Sequence, residues 1–207
     1  MFRLIIILSL FLSILFLCSC SIEKNEHIAI SNTVSLIKTP FFNKDIDSIE
    51  IVDYCYKLDE RILNGYKIQK DIILNKKIKA SDNFYDWNDK KNSWSITDNE
   101  IDFMIKSLSK QKKVFLNKEK FKNNNKKIVL VDFPYYEDNL IEDLDRQERI
   151  KKEKFVYFFS KPVFNKNKDV FFIQYKTILL PHVSNTLIFR KENNNWTKIA
   201  ELSHSME

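Results

Sequence analysis

Glycine is almost absent from this chain: Gly65 is the single one among 207 residues. Phosphate-cradling loops and dinucleotide fingerprints need several glycines so that backbone amides can approach the ligand, and a nucleophile elbow needs small neighbours around its strained turn. Nucleotide-dependent enzymes of those kinds are excluded on chemical grounds. Histidine is scarce as well, with only His27, His182 and His204. No set of His, Cys or carboxylate groups stands at ligand spacing, so no metal and no cofactor is expected. A basic block with interleaved aromatics is also missing. The 34 Lys and Arg are spread among 28 Asp and Glu, the pattern of a solvated surface, so no nucleic-acid partner is expected. Finally, the sequence has no second apolar run like its first. Met1 to Arg3 carry one positive charge, Leu4 to Leu17 is apolar apart from Ser9 and Ser13, and the chain then turns polar. That layout is a secretory signal peptide. The run of 14 residues is shorter than the roughly 20 needed for a permanent spanning helix, which leaves a retained membrane anchor as the second reading.

The run ends in Leu17-Cys18-Ser19-Cys20, an aliphatic residue three before a cysteine and a small residue directly before it. This spelling resembles the lipobox of bacterial lipoproteins. The resemblance implies that Cys20 receives a diacylglycerol thioether, that the signal is cut after Ser19, and that the new amino terminus is acylated. Cys18 fits worse, because Leu17 would then stand where a small side chain is needed, and it leaves with the signal. The implied partner is a membrane, reached through the lipid on Cys20. Ser21 in place of aspartate points to the outer membrane by the sorting habit of enteric bacteria. Loss of residues 1–19 removes Arg3, so the net charge of +6 becomes +5. Cys55 is then the one unmodified thiol, in an apolar-alternating segment that suits a buried, inert side chain.

The expected organisation is a signal peptide at 1–19, a lipidated cysteine with a flexible tether at 20–45, and a single domain at 46–207. The expected fold class is α+β, a mainly antiparallel sheet with a C-terminal β-meander and one or two packed helices. In "SIEIVDYCYKL", residues 48–58, Ile49, Ile51, Asp53 and Cys55 alternate with Glu50, Val52, Tyr54 and Tyr56, which predicts a strand. Asn64-Gly65 predicts a hairpin turn, since both residues tolerate positive φ, with a second strand over 66–74. Thr97 and Glu100 form a capping box, and Ile96 can staple Ile101. A helix should start at Asp98 with Ile101, Met104, Ile105 and Leu108 on one face. Short strands are expected at 113–116 and 127–133, and a charged helix at 138–151. The last third reads as a meander, with Asn165 to Lys168 and Asn193 to Asn195 as turns that use asparagine where glycine is usual. Asn195-Trp196-Thr197 spells a glycosylation acceptor but fits better as part of a hairpin.

The string "SKPVFNKNKDVFFIQY", followed by "LIFRKENNNWTKI", resembles the closing segment of envelope lipoproteins from Bacteroidetes-type bacteria. The likeness covers roughly 50 residues and is structural, so it carries over no catalytic residue. Members often have a glycine-rich or cysteine-bearing loop where this chain has "TILLPHVSN". The ending "WTKIAELSHS" is more weakly similar to the last strand of nuclear-transport-factor-like domains.

The candidate binding residues are Phe84, Tyr85, Trp87 and Trp94. Tyr and Trp on a long loop can anchor a partner or a sugar face, and they can equally fold back as a lid on the core. Acids cluster at Glu137-Asp138, Glu142-Asp143 and Asp145. On a helix they form a solvated face with Arg146, Arg149 and Lys152 as partners; gathered in a cleft, two of them could serve glycoside hydrolysis. His182 can reach Cys55 or Ser184 only if folding joins them. The leading expectation is a lipid-anchored cell-envelope protein with a non-catalytic binding domain, a class that includes proteins neutralising a toxin in the periplasm. The alternative is an envelope hydrolase using carboxylates or His182.

Overall fold

The computed structural model describes residues 24–37, 47–74, 94–112, 114–121, 125–131, 156–177 and 183–205. The elements in chain order are helix α1 (24–36), strands β1 (Ser48–Val52) and β2 (Tyr54–Cys55), and helices α2 (Glu60–Leu74) and α3 (Asp98–Leu108). Then come β3 (Val114–Phe115), a 3-10 turn (Lys118–Phe121), β4 (Lys127–Val131), β5 (Val156–Phe159), β6 (Val163–Phe164), β7 (Val170–Thr177), β8 (Val183–Glu192) and β9 (Asn195–Ser205). The main sheet runs β4-β1-β5-β7-β8-β9, with β6 also on β7, and β2 pairs with β3 in a separate ribbon. β1 is parallel to both β4 and β5, and all other pairs are antiparallel. This is the α+β class, with the C-terminal meander in β7, β8 and β9.

β5 and β6 both pair with β7, at Tyr157–Phe159 and at Val163–Phe164. Between them stands Pro162, which has no N–H to give to a ladder. The turn into β7 is held by Asn165, whose Oδ1 accepts the N–H groups of Asp169 and Val170 at 3.1 Å each. Positive φ falls on Lys168 here and on Asn193 and Asn194 between β8 and β9. Asparagine thus supplies the β8–β9 turn as expected, while a lysine takes the left-handed position in the other.

β7 is buried along nearly its whole length, and its period of two divides the core in two layers. Phe171, Ile173 and Tyr175 join a cluster with Ala29, Ile30, Val34 and Ile37 of α1. Val170 and Phe172 join a second cluster with Leu63 and Tyr66 of α2 and Ile101, Met104 and Leu108 of α3. The helices therefore cover both faces of the sheet. A register shift at Ile188/Phe189 leaves Ile199 as an extra residue on β9. The bulge turns Ile199 and Ala200 toward the same layer, where both are buried.

The single strand expected over residues 48–58 is instead two, β1 and β2, parted at Asp53 and paired into different sheets, but the alternation of faces carries across the break. Ile49, Ile51 and Cys55 lie in the α1 layer, while the rings of Tyr54 and Tyr56 meet Phe158 on the other face. The capping box is formed: Thr97 Oγ1 accepts the Glu100 N–H, and the Glu100 carboxylate accepts the Thr97 N–H. The expected stripe is in place, with Ile101, Met104 and Leu108 buried and Ile105 packed beside them.

Two further expectations are corrected. Asn64-Gly65 is not a hairpin turn but the second turn of α2, and no glycine has positive φ. Asp59 accepts the Arg61 N–H at 2.9 Å, an N-cap bond, and Leu63, Tyr66 and Lys70 are buried at helical spacing. Lys70 then fastens α2 to α3 by donating to the Ile96 carbonyl at 3.1 Å and pairing with Asp98. The second correction concerns the tether, since residues 24–36 are helical and packed. Ile30, Val34 and Ile37 recur on one face, while Asn32 and Thr33 donate to the carbonyls of Ile28 and Ala29 at 2.8 and 3.0 Å. These polar residues satisfy themselves on their own helix instead of marking a solvated coil. The helix expected at 138–151 lies outside the described residues.

Gly65 separates the two readings of that segment. In a helix interior, Gly65→Ala gains about 0.5–1 kcal/mol of stability; in a positive-φ turn it costs stability. Urea unfolding is expected to show the gain.

Candidate functional site

The face of the sheet opposite α1 carries an aromatic ladder beside a buried polar row. β2 runs on from β1, and Tyr56 forms a parallel bridge to Ser160, so Tyr54 and Tyr56 flank Phe158 of β5. The Tyr56 and Phe158 centroids are 4.6 Å apart, and Tyr54 meets the Phe158 ring edge-on at 5.3 Å. Antiparallel pairing of β2 with β3 places Phe115 beside Tyr54 at 6.2 Å. The Lys176 ammonium stands 5.1 Å from the Tyr56 centroid, within cation–π range. Tyr54, Tyr56, Phe158 and Lys176 are half-buried, and Phe115 is 65% exposed.

Behind the rings the sheet is polar. Ser160, Gln174, Ser184 and Thr186 are all buried. Gln174 is bonded at both ends of its amide: its Oε1 accepts from the Tyr56 hydroxyl at 2.9 Å, its Nε2 donates to Ser184 Oγ at 2.8 Å, and its backbone N–H donates to Ser160 Oγ at 2.8 Å. Thr186 Oγ1, next in the row, has no hydrogen-bond partner. Burial pushes the Tyr56 hydroxyl well above the ordinary phenol range, so near neutral pH it stays protonated and keeps donating to Gln174. This arrangement offers ring faces for stacking, one cation, and a network that stiffens the floor. Ser184 is held in an amide hydrogen bond, and its register partner on β9 is His204.

Of the residues singled out from sequence, Trp94 is described, and it takes the fold-back alternative. It is buried, with its ring 5.3 Å from Tyr66, and Tyr66 meets Phe172 edge-on at 5.5 Å. Trp94 thus packs against Tyr66, the α2 residue that meets the sheet at Phe172. Phe84, Tyr85 and Trp87 lie outside the described residues, as do Cys20, His182, Pro181 and the acids at 137, 138, 142, 143 and 145. Among the described residues no group of three or more His, Cys, Asp or Glu gathers for a metal, and no helix is long and apolar enough to cross a membrane. The ladder itself was not singled out as a site in the sequence. Its signal was present in the alternation of Tyr54 and Tyr56 on the face away from Ile49 and Ile51, but the cross-strand partners Phe158 and Lys176 are about 100 residues away.

His27, which the sequence places in a tether, is buried in α1. Its Nε2 accepts the Asn117 N–H at 3.1 Å, and its ring lies 5.1 Å from Phe121. It locks α1 to the 3-10 turn. Cys55 is buried in the α1 layer. Burial first, and the Glu26 carboxylate second, push its thiol up to about 12, with Lys161 partly opposing them.

No family model, curated protein or solved structure matches the chain.

Thiolate is the nucleophilic form of cysteine, so folded Cys55 is expected to resist iodoacetamide at pH 8 while urea-unfolded chain is alkylated, read by peptide mass spectrometry. The folded value lies above the unfolded one of 9.0, so the buried thiol's contribution is complete below pH 9 and is lost as pH rises toward 12. Urea midpoints should fall over that window more steeply in the native chain than in Cys55→Ala.

Proposed function

We propose that this chain is a lipid-anchored protein of the bacterial cell envelope, acylated on Cys20 after cleavage behind Ser19, whose domain binds an envelope protein without catalysis. The observation that carries the anchor is the spelling Leu17-Cys18-Ser19-Cys20 at the end of an apolar run of 14 residues. Buried methylenes contribute about 0.8 kcal/mol each, so one acyl chain holds a protein marginally and two or more hold it durably. Ser21 after the lipid site favours the outer membrane. Binding rather than catalysis is supported by what the ladder presents. Phe115, Tyr54, Phe158 and Tyr56 offer amphipathic contact area of the kind that anchors protein partners, while the Ser160 and Ser184 hydroxyls are engaged by Gln174.

Metabolic labelling with an alkyne fatty acid tests the anchor. The native chain should take the label, and Cys20→Ser should lose it and remain as the longer precursor; a variant that still labels overturns the assignment. For the binding role, a photo-crosslinker at Phe115 should trap one defined envelope protein in cells, and Phe158→Ala should reduce that product severalfold. An ester or glycan turnover abolished by His182→Ala would instead establish the hydrolase alternative.

A further inference from the structure

Only Ser21, Ile22 and Glu23 stand between Cys20 and Lys24, where α1 is already helical. An extended chain covers about 3.3–3.6 Å per residue, so four steps hold Lys24 within about 14 Å of the lipid site. The start of α1 is also fixed to the body. The buried Glu26 carboxylate pairs with Lys161 at 3.0 Å, and His27 accepts the Asn117 N–H at 3.1 Å. A domain attached this way cannot swing on its anchor as one on a long coil would.

The end of the body nearest the anchor presents three exposed lysines, Lys24, Lys118 and Lys120, against the acids Glu119 and, in the linker, Glu23. Lys24 is exposed and lies one helical turn before His27 on the same side of α1. His27 in turn touches Asn117, the residue that leads into the Lys118–Phe121 turn. Lys118 and Lys120 are exposed there, with Glu119 as the turn's one acid. At the other end of α1, Leu36 is exposed, about 18 Å further along an axis that rises 1.5 Å per residue.

We infer that this lysine-bearing end is seated on anionic phospholipid, with Lys24, Lys118 and Lys120 at headgroup level and the C-terminal end of α1 directed away from the bilayer. The inference rests on the lipidation of Cys20, which brings the end within reach; charge complementarity then selects the orientation, because basic residues near an anionic leaflet are attracted within a Debye length.

The test uses the full chain, processed in cells and checked for the fatty-acid label. Asn25→Cys, Asn117→Cys and Leu36→Cys, which leave all three lysines in place, each carry a fluorophore, which the buried Cys55 does not accept, in vesicles of phosphatidylcholine with or without phosphatidylglycerol. Brominated lipid should quench positions 25 and 117 but not 36, and the contrast should weaken without phosphatidylglycerol. Neutralising Lys118 and Lys120 to Gln should lower the ratio of seated to unseated protein by about fivefold for each lysine, read as lost quenching at position 25. Equal quenching at all three positions, or at none, in protein that carries the lipid overturns the orientation and leaves the anchor intact. Absence of the label on Cys20 overturns the anchor, and the orientation with it.

Discussion

Phe171 and Phe172 are successive residues of β7 that point to opposite faces of the sheet, and each helical layer is built against one of them. Phe171 stacks on Phe189 at 4.7 Å and meets Trp196 at 4.8 Å in the layer that α1 closes. Phe172 meets Tyr66 at 5.5 Å in the layer of α2 and α3. A strand buried on both faces and paired on both edges has no solvated side, which explains the run "VFFIQY" with only Gln174 polar. That glutamine can be buried because its amide oxygen, its amide nitrogen and both of its backbone groups each have a partner. Deleting either phenylalanine would loosen a different layer, since a vacated aromatic site in a close-packed core costs about 3–5 kcal/mol.

Around this strand the helices are fastened by lysine rather than by apolar contact alone. Lys70 joins α2 to the start of α3, Lys126 donates to the Ile37 carbonyl at the end of α1, and Lys161 holds Glu26 at its beginning. Each lysine buries its methylene stem and brings a donor to a helix end: Lys126 meets a carbonyl at the C-terminal end of α1, where carbonyls lack intrahelical partners, while Lys70 and Lys161 meet the acids Asp98 and Glu26 in the first turns of α3 and α1. A buried ion pair such as Glu26–Lys161 contributes less to net stability than to fixing one arrangement, because desolvation offsets much of the attraction. Its value here is positional: α1 is fixed at its first turn.

What the sequence revealed and what it concealed divide along the range of the interactions. Thr97, Glu100 and the stripe behind them specify α3 locally, and the asparagines near residues 193–194 specify a turn by their own tolerance of positive φ. Asn64-Gly65 misleads because its turn preference is also local, while the preference that wins is tertiary: Leu63, Tyr66 and Lys70 gain burial only as a helix. The Asp59 cap was a readable signal on the other side. Residues 24–37 misled through composition. Their Asn, Ser and Thr look solvated, yet Ile30, Val34 and Ile37 keep helical spacing, and the polar residues close onto α1's own carbonyls. The ladder was half legible, since the face of Tyr54 and Tyr56 follows from alternation, whereas Phe158 joins it through parallel pairing and Lys176 through the antiparallel β5–β7 pair, neither of which a short window contains.

The change from tether to helix alters what an anchor at Cys20 does. A coil of some 25 residues has a root-mean-square span of roughly 27 Å and lets a domain sample many orientations. The packed α1 reduces the connection to about 14 Å at most. It also relates the anchor to the ladder, because Tyr56 bridges Ser160, and Lys161, the next residue, grips Glu26 at the start of α1. The ladder therefore lies at the same end of the sheet as the first turn of α1, on the opposite face. With Cys20 as the anchor, a partner that stacks on Phe158 and its neighbours approaches beside the bilayer rather than from the far pole. Partners that are themselves held in the membrane or lie along it satisfy that geometry without the entropic cost of a search through three dimensions.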